Sequence, residues 1–245
     1  MTTDIRLGRW QDVLADVEVD ALICDPPYLS ACADVEGGRP WATTDRKQRP
    51  HQKPPTPRQS GPVMNYQPAT ADSLVALCQW SKRVRGWCVF FNDFDGAALI
   101  RSTLLAMNAV VAEPIAWVKP AALTPTRGSC ILPQKGTEFI VVARHVSMKE
   151  WGRHLPGHYA GPASTRPQDI GFTGGKPLAL MRALVRDYSR PGDLVCDPFC
   201  GSGTTALACM TEGRRFVGSE VDPKHHAISV ARCARGATRD MFSAG

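Results

Sequence analysis

A chain of 245 residues is long enough for one α/β core with insertions and short for two full domains. With 43% hydrophobic residues and no apolar run of about 18, the composition excludes a membrane-spanning helix and predicts a soluble globular protein. The formal charge of +6 suits a polyanionic partner.

In chain order, Ile5 to Gly8 predicts a short strand and Gln11 to Val17 a short helix. Val19 to Cys24 reads as a buried strand that ends on Asp25-Pro26-Pro27-Tyr28. From Gly37 to Pro68 the composition changes: Pro40, Pro50, Pro54, Pro55, Pro57, Pro62 and Pro68 are mixed with Arg39, Arg46, Lys47, Arg49, Lys53 and Arg58, a mixture from which no core forms. Ala71 to Val84 is amphipathic, with Asp72 near its start, and predicts a helix.

Strand Trp87 to Phe91, helix Asp95 to Met107, strand Ala112 to Val118 and strand Glu138 to Arg144 follow. After an irregular stretch rich in Gly, Pro and His comes a helix from Pro177 to Ser189, where proline is tolerated in the first turn. Strand Asp193 to Asp197, a glycine turn, helix Thr204 to Glu212, strand Arg215 to Glu220 and helix Pro223 to Arg235 complete the chain. Strands alternating with helices predict an α/β fold with a doubly wound, mostly parallel sheet, whose ligands bind beyond the carboxyl ends of the strands.

The nine cysteines are scattered through apolar runs, which predicts buried free thiols. No Cys-x-x-Cys pair occurs, and Leu-Pro-Gly between His154 and His158 spoils a helical metal face, so no metal site is expected. The amino terminus, Met1-Thr2-Thr3-Asp4, has no basic-then-apolar signal pattern, so a cytoplasmic home is the default expectation.

Two segments carry chemistry. Asp25-Pro26-Pro27-Tyr28 combines an acid, two residues of fixed φ and an aromatic ring, a rigid ledge suited to a planar amino-bearing ring. The bland alternative is a proline-rich turn after a strand. Downstream, Asp197-Pro198-Phe199-Cys200-Gly201-Ser202-Gly203-Thr204-Thr205 again follows an apolar run. Its glycines let the backbone turn sharply beside a ligand, and the helix that follows directs N–H groups and a positive dipole end at the turn. Such turns also occur in dinucleotide-binding proteins. Glu220, at the next strand's end, is suited to accept ribose hydroxyls, or is an exposed strand-end acid; Asp222 predicts a cap for the helix beginning at Pro223.

Together these motifs resemble the amino-methyltransferases of DNA, which transfer a methyl group from S-adenosylmethionine to an exocyclic base nitrogen and include enzymes of restriction-modification systems. Because the tetrapeptide precedes the glycine motif, the order resembles the circularly permuted beta class. The resemblance is strongest at 19 to 28 and 173 to 222. It implies a seven-stranded Rossmann-like methyltransferase sheet forming a single catalytic domain over 1–245, with a mobile basic loop at 29–71 and a small target-recognition insertion at 119–172.

It also implies that Asp25, Pro26, Pro27 and Tyr28 are catalytic: Asp25 and the Pro26 carbonyl accept the two amino N–H bonds and Tyr28 stacks on the base. Asp197, Pro198, Phe199, Gly201, Gly203, Thr204, Thr205 and Glu220 are expected to hold the cofactor. Thr173-Gly174-Gly175-Lys176-Pro177 matches only in part the family segment before the cofactor strand, so Thr173, Lys176 and Pro177 join the expected cofactor set. Where the family commonly has Gly-Asp, this chain reads Gly8-Arg9-Trp10-Gln11-Asp12, and three readings stay open: Trp10 on the cofactor adenine, Asp12 in its place, or a plain helix start.

Arg39, Arg46, Lys47, Arg49, Lys53 and Arg58 are expected to contact DNA phosphates, the alternative being a solvated loop, and Lys119, Arg127 and Lys135, at the family's target-recognition position, are expected to bind nucleic acid. Trp41, Tyr66 and Tyr159 are candidates to fill the gap left by a flipped base. The expected reaction is methylation of adenine N6, because Asp-Pro-Pro-Tyr is more usual in adenine enzymes. Cytosine N4 methylation is the enzyme alternative, and an idle nucleic-acid-binding module the non-enzyme one. Permuted members are often dimers, so a homodimer is a further expectation.

Overall fold

The computed structural model describes residues 2–29, 69–119, 136–148, 151–161 and 175–242. Among them, nine strands form one sheet: β1 (Thr3–Leu7), β2 (Ala21–Cys24), β3 (Trp87–Asn92), β4 (Val110–Val111), β5 (Ile115–Val118), β6 (Thr137–Arg144), β7 (His158–Ala160), β8 (Leu194–Asp197) and β9 (Arg215–Glu220). The order is β1-β9-β8-β2-β3-β6-β5-β7, with the short β4 beside β6. The helices are α1 (Trp10–Val13), α2 (Ala71–Trp80), α3 (Phe94–Ala106), α4 (Leu178–Tyr188), α5 (Thr204–Glu212) and α6 (Pro223–Phe242).

The sheet has two characters. From β1 to β3 every neighbour pairs in parallel. Beyond β3, β6 runs antiparallel to β3, β4 and β5, and only β7 returns to parallel pairing, with β5. The expected sheet of seven strands is thus extended by the short β4 and β7. Strand Ala112 to Val118 was expected from its first residue, but β5 starts only at Ile115, after Pro114, which cannot donate to a ladder, and the short β4 lies before the expected start. The helix expected to reach Val84 stops at Trp80 and tightens into a 3-10 turn, Ser81–Arg83, while α6 runs past Arg235.

Side-chain alternation builds two cores from one sheet. Ala21, Ile23, Val89 and Phe91 point to the face covered by α4 and α5, through Leu180, Met181, Leu184, Ala206 and Cys209. Leu22, Cys24, Cys88 and Phe90 point to the other, covered by α2 and α3 through Leu74, Leu77, Ile100 and Leu104. A strand buried on both sides has to be apolar at every position, which explains the unbroken run Ala-Leu-Ile-Cys of β2. Each fully buried Leu or Ile contributes about 1.5–3 kcal/mol by leaving water. Cys24, Cys78, Cys88, Cys196, Cys200, Cys209 and Cys233 are buried free thiols, as expected from their apolar settings.

The chain path sets the site. From β2 it proceeds to β3 on one side, and from β8 to β9 on the other, so the sheet order reverses between β2 and β8. These strands are adjacent and parallel, with Ala21 opposite Val195 and Leu22 opposite Cys196. Their carboxyl ends, followed by Asp25-Pro26-Pro27-Tyr28 and Pro198 to Gly203, therefore open side by side at the crevice where ligands of such sheets bind.

Candidate active site

The glycine turn is held from within. Asp197 Oδ1 accepts the Phe199 N–H (2.9 Å) and Oδ2 accepts the Thr205 hydroxyl (2.5 Å). The Asp197 side chain is 3% exposed, and burial pushes its carboxyl up to about 7 although both hydrogen bonds pull it down. Asp197, expected to hold the cofactor, thus spends both oxygens shaping the turn. Glu220 acts similarly from β9: one oxygen accepts the Gly201 N–H (2.8 Å) and the other the Asp222 N–H (2.9 Å). Each oxygen keeps a further lone pair, so ribose contact stays open to it. Asp222 Oδ1 accepts from Lys224 and His225 N–H, the cap expected from sequence.

Gly203 begins α5 in the left-handed region at φ +76°, and a Cβ there would stand 3.0 Å from Ser229 Cβ. Only glycine meets both conditions without strain. No side chain caps the N-terminus of α5, so its N–H groups and dipole face the crevice. At the rim, Leu7 (50% exposed) and Val221 (65% exposed) flank Glu220 at the ends of β1 and β9, an apolar surface next to an acid. An uncapped helix end for a carboxylate, an acid for a ribose and apolar residues for a purine fit S-adenosylmethionine. Trp10 is buried edge-on against Trp80, with centroids 6.3 Å apart, which speaks against its stacking on adenine; it opens α1, where Asp12 is exposed in the first turn.

The ledge Asp25 to Tyr28 is held by side chains from distant elements. Lys176, just before α4, places its ammonium on Asp25 Oδ2 (2.5 Å), 3.1 Å from the Tyr28 hydroxyl and 3.2 Å from Glu138 Oε2. It lies over the rings of Phe91, Tyr28 and Trp117, at 5.1, 5.3 and 5.8 Å. Tyr28 donates its hydroxyl to Glu138 Oε2 (2.7 Å), and Glu138 Oε1 is paired with Lys119. Lys176 was expected with the cofactor residues, and its ammonium meets Asp25.

Burial raises the Asp25 carboxyl above its ordinary range; Lys176 pulls it back and Glu138 pushes it up again. For Glu138, burial acts upward too, but the ammoniums of Lys176 and Lys119 outweigh it and hold the acid low. Lys176 is held high because Asp25 and Glu138 overcome the cost of burying its charge, and burial among these acids keeps the Tyr28 hydroxyl protonated. Asp25 Oδ1 is sealed from solvent and has no hydrogen-bond partner among the described residues. A buried acceptor without a donor is costly, so this atom is free to accept from water or from a ligand donor.

Two expectations are corrected here. Lys119 does not present itself to phosphate: its side chain is 10% exposed and paired with Glu138. Tyr159 is not a wedge, since it is buried and donates to Asp187 Oδ2. Trp117 is core, at 0% exposure. Pro26 is buried and Pro27 half-buried between Asp25 and Tyr28; Pro198, Thr204 and Thr205 are buried in the turn, and Pro177 precedes α4. Arg39, Arg46, Lys47, Arg49, Lys53, Arg58, Arg127, Lys135, Thr173, Trp41 and Tyr66 lie outside the described residues.

Sequence reasoning missed Arg232. From α6 its Nη1 donates to Ser202 O (2.7 Å), Ser202 Oγ (3.0 Å) and Thr204 Oγ1 (3.1 Å), clamping the turn from behind. Nothing in the local sequence sets it apart from other helical arginines.

The comparisons agree with this geometry. A family model described as DNA methylase matches residues 158–231. A protein of Escherichia coli strain K12 that is named a methylase, YubD, is 36% identical over 222 residues, 88% of this chain and 82% of that protein. Shorter matches reach the type II methyltransferase M.Cfr9I of Citrobacter freundii (43% identity over 56 residues) and the DNA adenine methyltransferase YhdJ of Escherichia coli (39% over 57); each covers 23% of this chain and 19% of the relative. Among solved structures, the M1.HpyAVI–SAM complex superposes with a TM-score of 0.65 at 22% identity, covering 94% of this chain and 98% of that one. The PvuII cytosine-N4-specific DNA methyltransferase does so with 0.62 at 15%, covering 94% and 87%. Sharing the switch-point site with the fold and most of its length with YubD, the chain belongs to the DNA methylase family, the S-adenosylmethionine-dependent amino-methyltransferases of the N6-adenine and N4-cytosine type.

Proposed function

We propose that this chain is a DNA methyltransferase of the permuted beta class that methylates the exocyclic N6 of adenine in a flipped-out base. The observation that carries the reading is the orphaned Asp25 Oδ1, one strand away from the glycine turn. An aromatic amino nitrogen is a poor nucleophile because its lone pair is delocalised into the ring. Two acceptors, Asp25 Oδ1 and the Pro26 carbonyl, draw its N–H bonds out of the ring plane and free the lone pair. The nitrogen then forms its bond to the methyl carbon as the carbon–sulfur bond breaks, the electron pair leaving on sulfur. The surplus N–H proton passes to Asp25 or to water.

Bound S-adenosylmethionine supplies the electrophilic methyl group. What the protein adds is orientation and charge placement, with no metal or covalent residue in the scheme. Tyr28 lends a ring face for stacking. Because Oδ1 is sealed, a base reaches it only when the side chains around the ledge separate, and only from single-stranded DNA or after flipping.

Adenine is favoured over cytosine by the leading acid of Asp-Pro-Pro-Tyr. Relatives and neighbours include both an adenine enzyme and a cytosine-N4 enzyme, so product analysis decides. The test is incubation with labelled methyl donor and DNA, followed by nucleoside analysis. N6-methyladenine is the expected product; N4-methylcytosine alone would replace the proposal with its alternative, and no methylation of either base would leave a binding module.

Strands β6 and β7 of the stretch 119–172 pair within the sheet, so target reading is assigned to the rest of that stretch. Phosphate contacts are assigned to the basic residues of 37–68. Deleting 40–62 is expected to weaken DNA binding and flatten its salt dependence. A homodimer, expected from the family, is tested by sedimentation.

A further inference from the structure

The most connected polar cluster of the described residues lies behind the ledge, and the reaction proposed above uses only its last member. Lys119, Glu138, Lys176 and Asp25 follow one another as cation, anion, cation and anion, drawn from the end of β5, from β6, from the residues before α4 and from the end of β2. Lys119, Glu138 and Lys176 are 10%, 18% and 10% exposed in their side chains, so three charges are held largely away from water. Removing a single member would leave its neighbour buried without its counter-charge.

We infer that Lys119, Glu138 and Lys176 form a positioning relay for the catalytic acid, with Glu138 at its centre. The inference rests on the proposed amino-methyltransferase reaction and adds to it the residues that aim Asp25. Three contacts define the role. Lys176 takes Asp25 Oδ2, which fixes the carboxylate rotamer and leaves Oδ1 as the acceptor for the incoming amino group. Glu138 shares the same ammonium at 3.2 Å and takes the Tyr28 hydroxyl at 2.7 Å, so one carboxylate sets both the cation on Asp25 and the ring that stacks on the base. Lys119 balances Glu138 and in turn lies 4.6 Å from the Trp117 ring centroid in the core.

The relay makes two charge removals act in opposite directions on one group. Asp25 faces Lys176 and Glu138, the Tyr28 hydroxyl, Asp197 at the end of β8 and the neutral Cys24 thiol behind it. Lys176 favours the ionised carboxylate and Glu138 disfavours it. Lys176→Met, whose side chain suits the surrounding rings of Phe91, Tyr28 and Trp117, should move Asp25 titration upward; Glu138→Gln should move it downward. Opposite signs establish that both charges act on Asp25, and a fall in kcat at unchanged cofactor binding separates a positioning role from mere support of the fold.

The experiment uses the full chain and reads two things. The first is the titration of the Asp25 carboxyl, followed by its carbon-13 NMR shift in the parent, in Glu138→Gln and in Lys176→Met; this needs no activity. The second is the pH profile of methyl transfer alongside the dissociation constant for S-adenosylmethionine. Opposite shifts of Asp25, with kcat down about 10- to 100-fold in each variant and cofactor binding within about threefold of the parent, are expected for groups that misplace the acid without touching the donor.

Equal or absent shifts, or full kcat in Glu138→Gln, would overturn the relay. Lys176→Arg, which keeps the charge, should hold the titration near that of the parent. If Glu138→Gln fails to fold, the Glu138→Gln/Lys119→Met pair, which removes one charge of each sign, takes its place under the same criteria. Absence of methyl transfer in the parent with opposite NMR shifts in the variants would sink the enzymatic reading and leave the relay standing as a charge arrangement.

Discussion

The two halves of the crevice are built in different ways. On the cofactor side, Asp197 binds the N–H of Phe199 and the hydroxyl of Thr205, Ser219 Oγ donates to the Pro198 carbonyl, and Glu220 binds the N–H of Gly201. The sequence separations are 2, 8, 21 and 19 residues. On the side of the proposed catalytic ledge, Lys176 reaches Asp25 across 151 residues and Tyr28 reaches Glu138 across 110. One half is a turn held by its own acid and by the strand and helix that follow it closely in the chain; the other is an ion cluster that exists only after four distant segments have packed. A local turn tolerates change elsewhere in the fold, whereas the cluster depends on strand pairing across β2, β3, β6 and β5.

The sharpest way to break the comparison is at its two functional ends. Asp25→Ala is expected to lower methyl transfer by ~10³-fold or more while leaving S-adenosylmethionine binding intact, measured by labelled-methyl incorporation and calorimetry. Gly203→Val should do the reverse on the other side. It forces a β-branched residue to φ +76° and a Cβ to 3.0 Å from Ser229, so cofactor affinity is expected to drop steeply with a stability loss of about 1–3 kcal/mol. Normal activity in either variant would remove that half from the site.

A smaller effect probes the clamp behind the turn. Arg232→Leu loses the hydrogen bonds to Ser202 and Thr204, and a rise in the S-adenosylmethionine dissociation constant of roughly tenfold, about 1.4 kcal/mol, is expected. An unchanged constant would mean that the turn holds its shape without α6.

A separate probe of the same turn is its dependence on pH. The Asp197 carboxyl titrates near about 7 in the fold against 3.8 ordinarily, so the folded chain binds this proton more tightly than the unfolded one. The stability contributed by this group is therefore greatest below the ordinary value and declines as pH rises toward about 7. Asp197→Asn removes that decline: relative to the parent, the variant should gain stability between about pH 5 and about pH 8 in denaturant titrations. A difference that stays constant over that interval would contradict the raised carboxyl.

The legible and illegible parts of the chain follow the same division. Strand β9 and helix α5 fall at the residues their apolar and glycine punctuation predicted, because both are bounded by local signals: Gly203 before the helix, Gly213 after it, an acid at the strand end. Lys119 was expected to bind nucleic acid because it opens the stretch at the family's target-recognition position; Glu138 turns it inward. Lys176 was placed by motif position with the cofactor, although its ammonium reaches the acid of another strand. Arg232 carried no signal at all. In each case the deciding partner sits on an element whose neighbours depend on sheet order.

The amino-acid sequence by itself determined the chemistry available: an acid on two prolines, a glycine turn before a helix, apolar runs that must be strands, and an acid at the end of the last one. These are properties of short segments, governed by φ restriction, side-chain alternation and helix-end dipoles. Only the tertiary structure decided that β2 and β8 lie side by side, that β6 inserts antiparallel beside β3, and that Glu138 and Lys176 converge on Asp25. Long-range pairing depends on which faces bury together across the whole sheet, and no window of sequence contains that sum.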